Sequence, residues 1–221
     1  RSLSVKEDLL TEQRSQIHKL LSSLMPAPIA AKVFDGAEIT ARDHPNVTVV
    51  YADVTGLDRI QAELDAGEYL DLWRELIRQY DAAAAEFDVE RVHQVRNGFL
   101  GSCGLTVPRL DNVRQTVDFA LECQRIIERF NGEAGLNLGL RAGIDTGTVS
   151  SGLVAEPSPV FDMWGTAVTL AHRIKNGVPA SGIYVTSRVV DVLSEAMSFT
   201  QAGNIEVNGA VEPIWRVEDT Q

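Results

Sequence analysis

Residues 46–58 read NVTVVYADVTGLD, and this stretch predicts the element around which the chain is organised. The alternating β-branched and aromatic side chains of residues 47–52 are typical of a strand with both faces covered. Asp53 ends this strand, and Thr55 and Gly56 follow it. A glycine there lets the backbone turn closely around a ligand, beside an acidic side chain at a strand end. We therefore expect the chemistry of the protein at the end of this central strand.

Helices and strands alternate on the C-terminal side of the central strand. Residues 60–87 have helical spacing with a break at Gly67, and a second helix is predicted from Asp111 to near Asn131. Between them, residues 89–95 and 99–105 are predicted to form an antiparallel hairpin because Asn97-Gly98 is a strong turn signal. Residues 136–144 and 149–154 are predicted strands joined by a turn at 145–147.

The order strand, helix, strand, strand, helix, strand is the split βαβ order of ferredoxin-like folds. The remaining residues predict a short strand that passes through Gly165 into a helix, and then short strands around a helix at 187–193. The fold class that follows is α/β, an α+β sandwich with a ferredoxin-like βαββαβ core and an extra small α/β subdomain. A fold of this kind hosts many unrelated activities and implies no function by itself.

The first 28 residues are predicted to form a signalling helix and linker, and residues 29–221 a single domain. Leu3, Leu10, Ile17 and Leu24 recur every seven residues, which indicates a weak coiled coil that ends at Pro26. A single helix packed on its own domain is the alternative reading of the same pattern.

The composition excludes several classes of partner. A formal net charge of −11 argues against a nucleic-acid backbone or an anionic membrane surface as the main partner. The sequence has no apolar run of membrane-spanning length and no signal peptide. Because the sequence begins at Arg1, we expect a fragment of a longer protein, located in the cytoplasm or forming the cytosolic part of a membrane-attached protein. Cys103 and Cys123 are expected to be buried, reduced thiols.

Four segments together resemble the class III adenylyl and guanylyl cyclases, over nearly the whole domain. They are LMPAPIA at 24–30, VTVVYADVTG at 47–56, LRAGIDTG at 140–147 and the run from Phe161 to Arg173, FDMWGTAVTLAHR. The resemblance implies a class III cyclase-like fold and a head-to-tail dimer, either a homodimer or one with another cyclase chain. It also implies a purine nucleotide as ligand. In such enzymes the 3′-hydroxyl attacks the α-phosphate, and two Mg²⁺ ions held by two Asp residues stabilise the displacement.

The metal positions of the family fall on Asp53 and Asn97. Asn97 replaces the second metal Asp, and Arg96 stands beside it, so the local charge at these two positions changes from −1 to +1. The resemblance therefore implies one Mg²⁺ or Mn²⁺ site at Asp53, with the second site unfavourable. Arg96 is a candidate substitute for the missing cation, and a structural role for Asn97 in the hairpin is the alternative reading.

Only some of the nucleotide-binding positions of the family carry the expected residue in this sequence. Asp162 matches the acidic residue that accepts the adenine amino group, and His93 stands at the matching Lys position, which favours ATP. Thr169 and Arg173 fall on the transition-state Asn and Arg, and Ala210 on the phosphate Lys. Thr55 and Gly56 are expected beside the phosphates, where Asp58 places a carboxylate after Gly56-Leu57.

Three functions follow from the resemblance. The leading hypothesis is a cyclase-homology domain that binds a purine nucleoside triphosphate, with weak or absent activity and a regulatory role. The alternative is an active adenylate cyclase that converts ATP to cyclic AMP and pyrophosphate with a divalent metal. The third hypothesis is a dimerisation module without a ligand.

Overall fold

The computed structural model describes residues 2–154, 160–178 and 180–218. Residues 1 and 219–221, at the outer ends of the two predicted segments, lie outside this range. The elements in chain order are α1 (Ser2–Leu24), α2 (Ala27–Phe34), β1 (Arg42–Thr55), α3 (Leu57–Glu63), α4 (Ala66–Glu86), β2 (Glu90–Val95), β3 (Gly98–Cys103), α5 (Asn112–Ala134), β4 (Gly139–Leu153), β5 (Phe161–Trp164), α6 (Thr166–Gly177), β6 (Gly182–Thr186), α7 (Ser187–Leu193), β7 (Phe199–Val207) and β8 (Ala210–Val217).

The strands of the described residues form one mixed sheet. Its order is β2-β3-β1-β4-β6-β8-β7, and β5 pairs separately with β4. The first four strands have the order β2-β3-β1-β4 with antiparallel neighbours, which confirms the predicted ferredoxin-like core. The predicted extra subdomain continues the same sheet, because β6 pairs in parallel with β4 and then β8 and β7 follow.

The central strand β1 separates two apolar cores. Val50, Ala52 and Val54 face the larger core, which α4, α5 and α7 cover. Val47 and Val49 face the smaller core, which α2, β5 and α6 cover. Because successive side chains of a strand point to opposite faces, the residues after Val49 on the smaller-core side are Tyr51 and Asp53. The functional candidates on β1 therefore lie under α6.

Three local predictions were wrong in detail. The predicted turn at 145–147 is absent, because Thr146 and Gly147 stay paired with Thr48 and Val47 of β1, so β4 runs unbroken. The break between α3 and α4 lies two residues before the predicted Gly67, since Asp65 caps α4 through a capping box. The end of α5 lies beyond Asn131, at Gly135, which adopts the left-handed conformation.

Helix α1 presents its seven-residue apolar column to solvent. Leu3, Leu10, Ile17 and Leu24 have exposed fractions of 78%, 58%, 51% and 61%. The helix contacts α2 through another side, where the rings of His18 and Phe34 meet at 5.4 Å. The alternative reading of the pattern required this column to pack on the domain of its own chain. Among the described residues, the column is exposed instead. None of the helices in the described part of the chain is long and apolar enough to cross a membrane.

Both cysteines are buried free thiols, as predicted. Burial raises the pKa of Cys103 to about 11, so this thiol stays protonated at neutral pH.

Candidate functional site

Asp53 is a buried carboxylate held by two cations. Its neighbour across the β1–β4 pair is Arg141, which follows directly from the antiparallel register. The Arg141 guanidinium donates from Nε to Asp53 Oδ1 at 3.2 Å and from Nη2 to Oδ2 at 2.9 Å. Lys175 Nζ donates to Asp53 Oδ2 at 3.2 Å. Both carboxylate oxygens are therefore occupied by donors from the same chain.

Helix α6 brings Lys175 to this position. The helix lies directly on β4, where a Cβ at Gly143 would come within 2.2 Å of the Ala171 carbonyl oxygen. Glycine is needed here because any side chain would push α6 away from the sheet. Lys175 lies one helical turn beyond Ala171, and its ammonium sits 5.2 Å from the centre of the Tyr51 ring. The cation is thus held between an aromatic face and a carboxylate.

The charges of this cluster affect each other. The hydrogen bonds to Asp53 raise the pKa of the Arg141 guanidinium. Burial, with repulsion from Asp162 and Asp53, raises the pKa of Tyr51, so its hydroxyl is neutral at physiological pH. Burial and the neighbouring charges of Lys175 and Arg173 lower the pKa of His172, so this imidazole is neutral as well. The groups of the cluster that carry charge are therefore one carboxylate and two cations.

Asn97 lies beside Asp53, as the resemblance implies. It occupies the β2–β3 turn in the left-handed conformation with φ of 61°, and its carbonyl oxygen accepts a hydrogen bond from the Val54 amide at 2.7 Å. Asparagine tolerates this conformation better than most residues, which gives Asn97 a structural role in the hairpin. The half-buried amide side chain contributes no charge to the site.

The residues at the metal positions do not fit a divalent cation as the structure holds them. Mg²⁺ binds carboxylate oxygens at about 2.1 Å and prefers several hard oxygen ligands. At Asp53 both oxygens already accept hydrogen bonds from cations, and Asn97 brings no second carboxylate. Within residues 2–154, 160–178 and 180–218, no three His, Cys, Asp or Glu side chains form a group that could hold a metal ion.

Thr55, Gly56 and Arg96 lie around the same strand end. The Thr55 hydroxyl is 3.0 Å from Ser181 Oγ. Gly56 has φ of 89°, where a side chain would be strained, and it begins the seven-residue helix α3. Arg96 is exposed on the hairpin turn next to Asn97. The structure thus brings these predicted phosphate-side residues to one end of the sheet.

His93 and Asp162 form a pair at a second place. Their Nε2 and Oδ1 atoms are 2.8 Å apart, and Asp162 Oδ1 also accepts from the Met163 amide at 2.8 Å. A register shift in β2 between Arg91 and His93 accompanies this pairing, and bulges of this kind re-aim the side chains that follow. Asp162 Oδ2 receives no hydrogen bond from the described residues, so it is available as an acceptor for a ligand.

The His93–Asp162 pair lines an open cleft of about 420 Å³. This volume is within the range of sites for small molecules. Tyr51 and His172 lie in its wall with ring centres 4.8 Å apart, and Thr169 lines it from α6. The cleft therefore combines aromatic surface with a carboxylate oxygen that receives no hydrogen bond from the described residues.

Arg173 lies four residues after Thr169 on the same side of α6. Its side chain is exposed, and no residue in the described ranges pairs with it. No ion pair with the described residues holds the guanidinium, so it is available to a ligand or a partner chain. Ala210, at the phosphate Lys position, is exposed at the start of β8 and offers no cation.

The sequence-based interpretation missed Arg141 and Lys175. Arg141 stands in the motif LRAGIDTG, and its pairing with Asp53 depends on the register of β1 against β4. Lys175 follows Arg173 by two residues, but its contact with Asp53 depends on how α6 packs on the sheet. A basic residue in each of the two segments was the only signal that the sequence offered.

Comparisons with known proteins agree on one family, the adenylate and guanylate cyclases. A family profile described as Adenylate and Guanylate cyclase catalytic domain matches residues 39–218. The chain is 25% identical to the head-specific guanylate cyclase of Drosophila melanogaster, over 90% of this chain and 29% of that protein. It is 24% identical to an adenylate cyclase of Mycobacterium bovis, over 92% of this chain and 46% of that protein. The chain therefore spans less than half the length of either relative.

Solved structures agree with the fold. The guanylate cyclase domain of RhGC from Catenaria anguillulae, in complex with GTP, superposes with a TM-score of 0.73 at 22% identity, over 80% of this chain and 98% of that domain. At this level of identity the likeness establishes the fold, including the predicted ferredoxin-like core with its extension.

Proposed function

Because the chain belongs to the family of adenylate and guanylate cyclase catalytic domains, we propose that it binds a purine nucleoside triphosphate and has little or no cyclase activity. We infer that ATP is the preferred nucleotide and that the domain acts in regulation as a dimer in the cytoplasm.

The His93–Asp162 pair is the observation that supports nucleotide binding most directly. Asp162 lines the cleft, and its Oδ1 is engaged by His93 and by the Met163 amide, which fixes the carboxylate and leaves Oδ2 without a hydrogen bond from the described residues. The exocyclic amino group of adenine is a donor, so a fixed carboxylate oxygen at this position favours adenine. The oxygen that guanine carries in its place would meet a carboxylate with no proton to offer.

Catalysis lacks several of the charges that the reaction needs. Asn97, Thr169 and Ala210 stand where the resemblance places a metal carboxylate, the transition-state Asn and a phosphate Lys. A preorganised contact of this kind contributes about 3 kcal/mol to transition-state stabilisation. Loss of three such contacts lowers the rate of the cyclase reaction by many orders of magnitude, while the nucleotide can still bind in the cleft.

A dimer explains why the candidate residues form two groups. Asp53, Asn97 and the phosphate-side residues lie at one end of β1, while His93, Asp162 and Thr169 line the cleft. In the head-to-tail arrangement of the family, each group of one chain completes the opposite group of its partner. Arg173, which is exposed and pairs with none of the described residues, then reaches phosphate through its guanidinium fork. Whether the partner is a second copy or another cyclase chain is decided by the oligomeric state of the purified protein.

The second candidate function is an active adenylate cyclase with a divalent metal. Arg173 favours it, because this residue matches the transition-state Arg of the family and pairs with none of the described residues. A sensitive assay for cyclic AMP in the presence of Mn²⁺ separates the two functions, since only an enzyme forms product.

Isothermal titration with ATP tests the proposed function. We expect ATP to bind more tightly than GTP, and Asp162→Asn to weaken ATP binding while leaving the fold intact. Asp71→Asn is a matched control, since it makes the same change at an exposed position of α4 that does not line the cleft. No heat of binding for either nucleotide, with or without Mg²⁺, would contradict the proposal and favour a dimerisation module without a ligand.

A further inference from the structure

We propose that Arg141 and Lys175 take the place of the divalent metal ion at Asp53, so that this domain holds no metal there and needs none to bind its ligand. Asp53 is then a counter-ion for two internal cations. The statement about the metal is independent of the proposed function, whereas the statement about ligand binding rests on it.

The first observation is that the ligand atoms are already used. Arg141 donates to both Asp53 oxygens, and Lys175 donates to Oδ2 at 3.2 Å. A metal ion bonded to Oδ2 would lie at about 2.1 Å from it and would therefore compete with the two cationic donors that already contact this oxygen. Asp53 has only two oxygens, and neither is without a cationic donor.

The second observation is the sign of the charge. One carboxylate and two cations give the cluster a net charge of +1, and Asn97 adds none. A site for Mg²⁺ or Mn²⁺ needs negative ligands, since the ion pays a large cost to leave its water shell. The described cluster attracts anions and repels divalent cations.

The third observation is that Lys175 cannot easily leave. Its side chain is 10% exposed, and the Asp53 side chain is 12% exposed. The ammonium packs over the Tyr51 ring, and the close contact at Gly143 fixes α6 on the sheet. If Lys175 moved away from Asp53, a buried ammonium would lose its counter-ion, which is strongly unfavourable. The packing of α6 therefore holds Lys175 in its ion pair with Asp53.

The excess positive charge has a use in ligand binding. A nucleoside triphosphate arrives with negative phosphates, which a metal ion normally accompanies. Here Arg141 and Lys175 supply positive charge at the end of β1 without an ion from solution. Nucleotide affinity should then be the same in EDTA and in Mg²⁺.

Electron paramagnetic resonance of Mn²⁺ tests the metal statement without using activity or nucleotide. The signal of free Mn²⁺ is lost when the ion binds protein, so titration of the purified protein counts bound ions. We expect no bound Mn²⁺ for wild type. The double variant Asn97→Asp with Lys175→Met adds a carboxylate and replaces the Lys175 cation by an uncharged side chain of similar length. This variant should bind one Mn²⁺ ion per chain, at least about tenfold more tightly than wild type.

Matched variants keep this test decisive. Asn97→Asp with Lys175→Arg retains both cations and should bind no Mn²⁺, and circular dichroism and thermal melts verify that each variant is folded. Lys175→Gln replaces Lys175→Met if the latter does not fold. Stoichiometric Mn²⁺ binding by wild type that Asp53→Asn abolishes would overturn the proposal. Absence of Mn²⁺ binding in the folded double variant would also overturn it, since the cation would then not be what excludes the metal.

The affinity of a fluorescent ATP analogue, measured in EDTA and in Mg²⁺, tests the ligand statement. Equal affinity within about twofold is expected, and a requirement for Mg²⁺ would overturn it. If the analogue binds in neither condition, the proposed function and the ligand statement fail, and the Mn²⁺ titration still decides the metal statement.

Discussion

Asp53 of β1 lies directly opposite Arg141 of β4, and the guanidinium of Arg141 donates to both oxygens of the carboxylate, at 3.2 and 2.9 Å. A buried carboxylate that serves only as a metal ligand has no counter-charge when the metal ion is absent, and this lowers the stability of the folded protein. Removal of a carboxylate that is paired with Arg141 and Lys175 instead leaves two cations without their counter-ion, which destabilises the fold. This difference makes the role of Asp53 measurable through stability alone.

Replacement of Asp53 by Asn should destabilise the protein. The variant leaves two largely buried cations without their counter-ion, and breaking a buried ion pair in this way costs about 3 kcal/mol. Asp58→Asn is the control, because Asp58 is exposed in the first turn of α3 and its loss costs at most about 1 kcal/mol. Urea denaturation measures both values. An Asp53→Asn variant as stable as wild type would show that the carboxylate is not a structural counter-ion.

Replacement of Asp162 by Asn should weaken ATP binding by about tenfold and leave GTP binding nearly unchanged. The amide loses the charge that strengthens a hydrogen bond to the adenine amino group, and such charged bonds contribute about 1.5 to 3 kcal/mol. Titration calorimetry with each nucleotide gives the ratio. Equal losses for ATP and GTP would instead mean that Asp162 only shapes the cleft with His93.

Glu90 should make stability fall as the pH rises. Its Oε2 is buried, with no hydrogen-bond partner among the described residues, and burial raises the pKa of this carboxyl above its usual 4.5. The folded state therefore binds more protons than the unfolded state between pH 4.5 and the raised pKa, so the free energy of unfolding decreases as pH increases through this window.

The variant Glu90→Gln cannot titrate and should lack this decrease. It should therefore gain stability relative to wild type between pH 5 and pH 7.5, as measured by urea denaturation at both values. Thr106 donates to Glu90 Oε1, and a glutamine oxygen can accept the same bond, so the change removes mainly the charge. Parallel pH profiles for the two proteins would contradict the role of Glu90.

Replacement of Ile17 by Glu should weaken the proposed dimer, if the α1 helices of its two chains pair. Ile17 is 51% exposed in the apolar column of α1, which no part of its own described chain covers, so a charge there opposes pairing of two such helices. Gln16→Glu is the matched control, since it adds the same charge at the neighbouring exposed position. Sedimentation of wild type and both variants measures the association constant. An unchanged constant for Ile17→Glu would place the dimer contacts outside α1.

The sequence was sufficient for the features that local patterns determine. The alternation of residues 47–52 predicted β1, Asn97-Gly98 predicted the hairpin, and Gly165 marked the start of α6. The turn predicted at 145–147 failed because a long-range ladder to β1 outweighs the local preference of a Thr-Gly pair. Element order was enough for the ferredoxin-like core, since few other topologies join these strands.

The candidate site was predictable in position but not in chemistry. Motif resemblance pointed to Asp53, Asn97, His93 and Asp162, and the structure places Asn97 beside Asp53 and His93 beside Asp162. The partners of Asp53 could not be predicted, because Lys175 reaches it only through the packing of α6 on Gly143. The pairing of a cation with a carboxylate depends on the register of the sheet and on the packing of the helix. Local sequence patterns predict neither of these.

The formation of cyclic AMP from ATP in the presence of Mn²⁺ tests the central claim most directly. Wild type, Asn97→Asp and Asp53→Asn are assayed side by side at high protein concentration, with heat-denatured protein as the background. We predict no product above background from any of them, because Asn97→Asp restores one carboxylate while Lys175, Thr169 and Ala210 remain. Mn²⁺-dependent product from wild type that Asp53→Asn abolishes would contradict this account and identify the chain as a working cyclase.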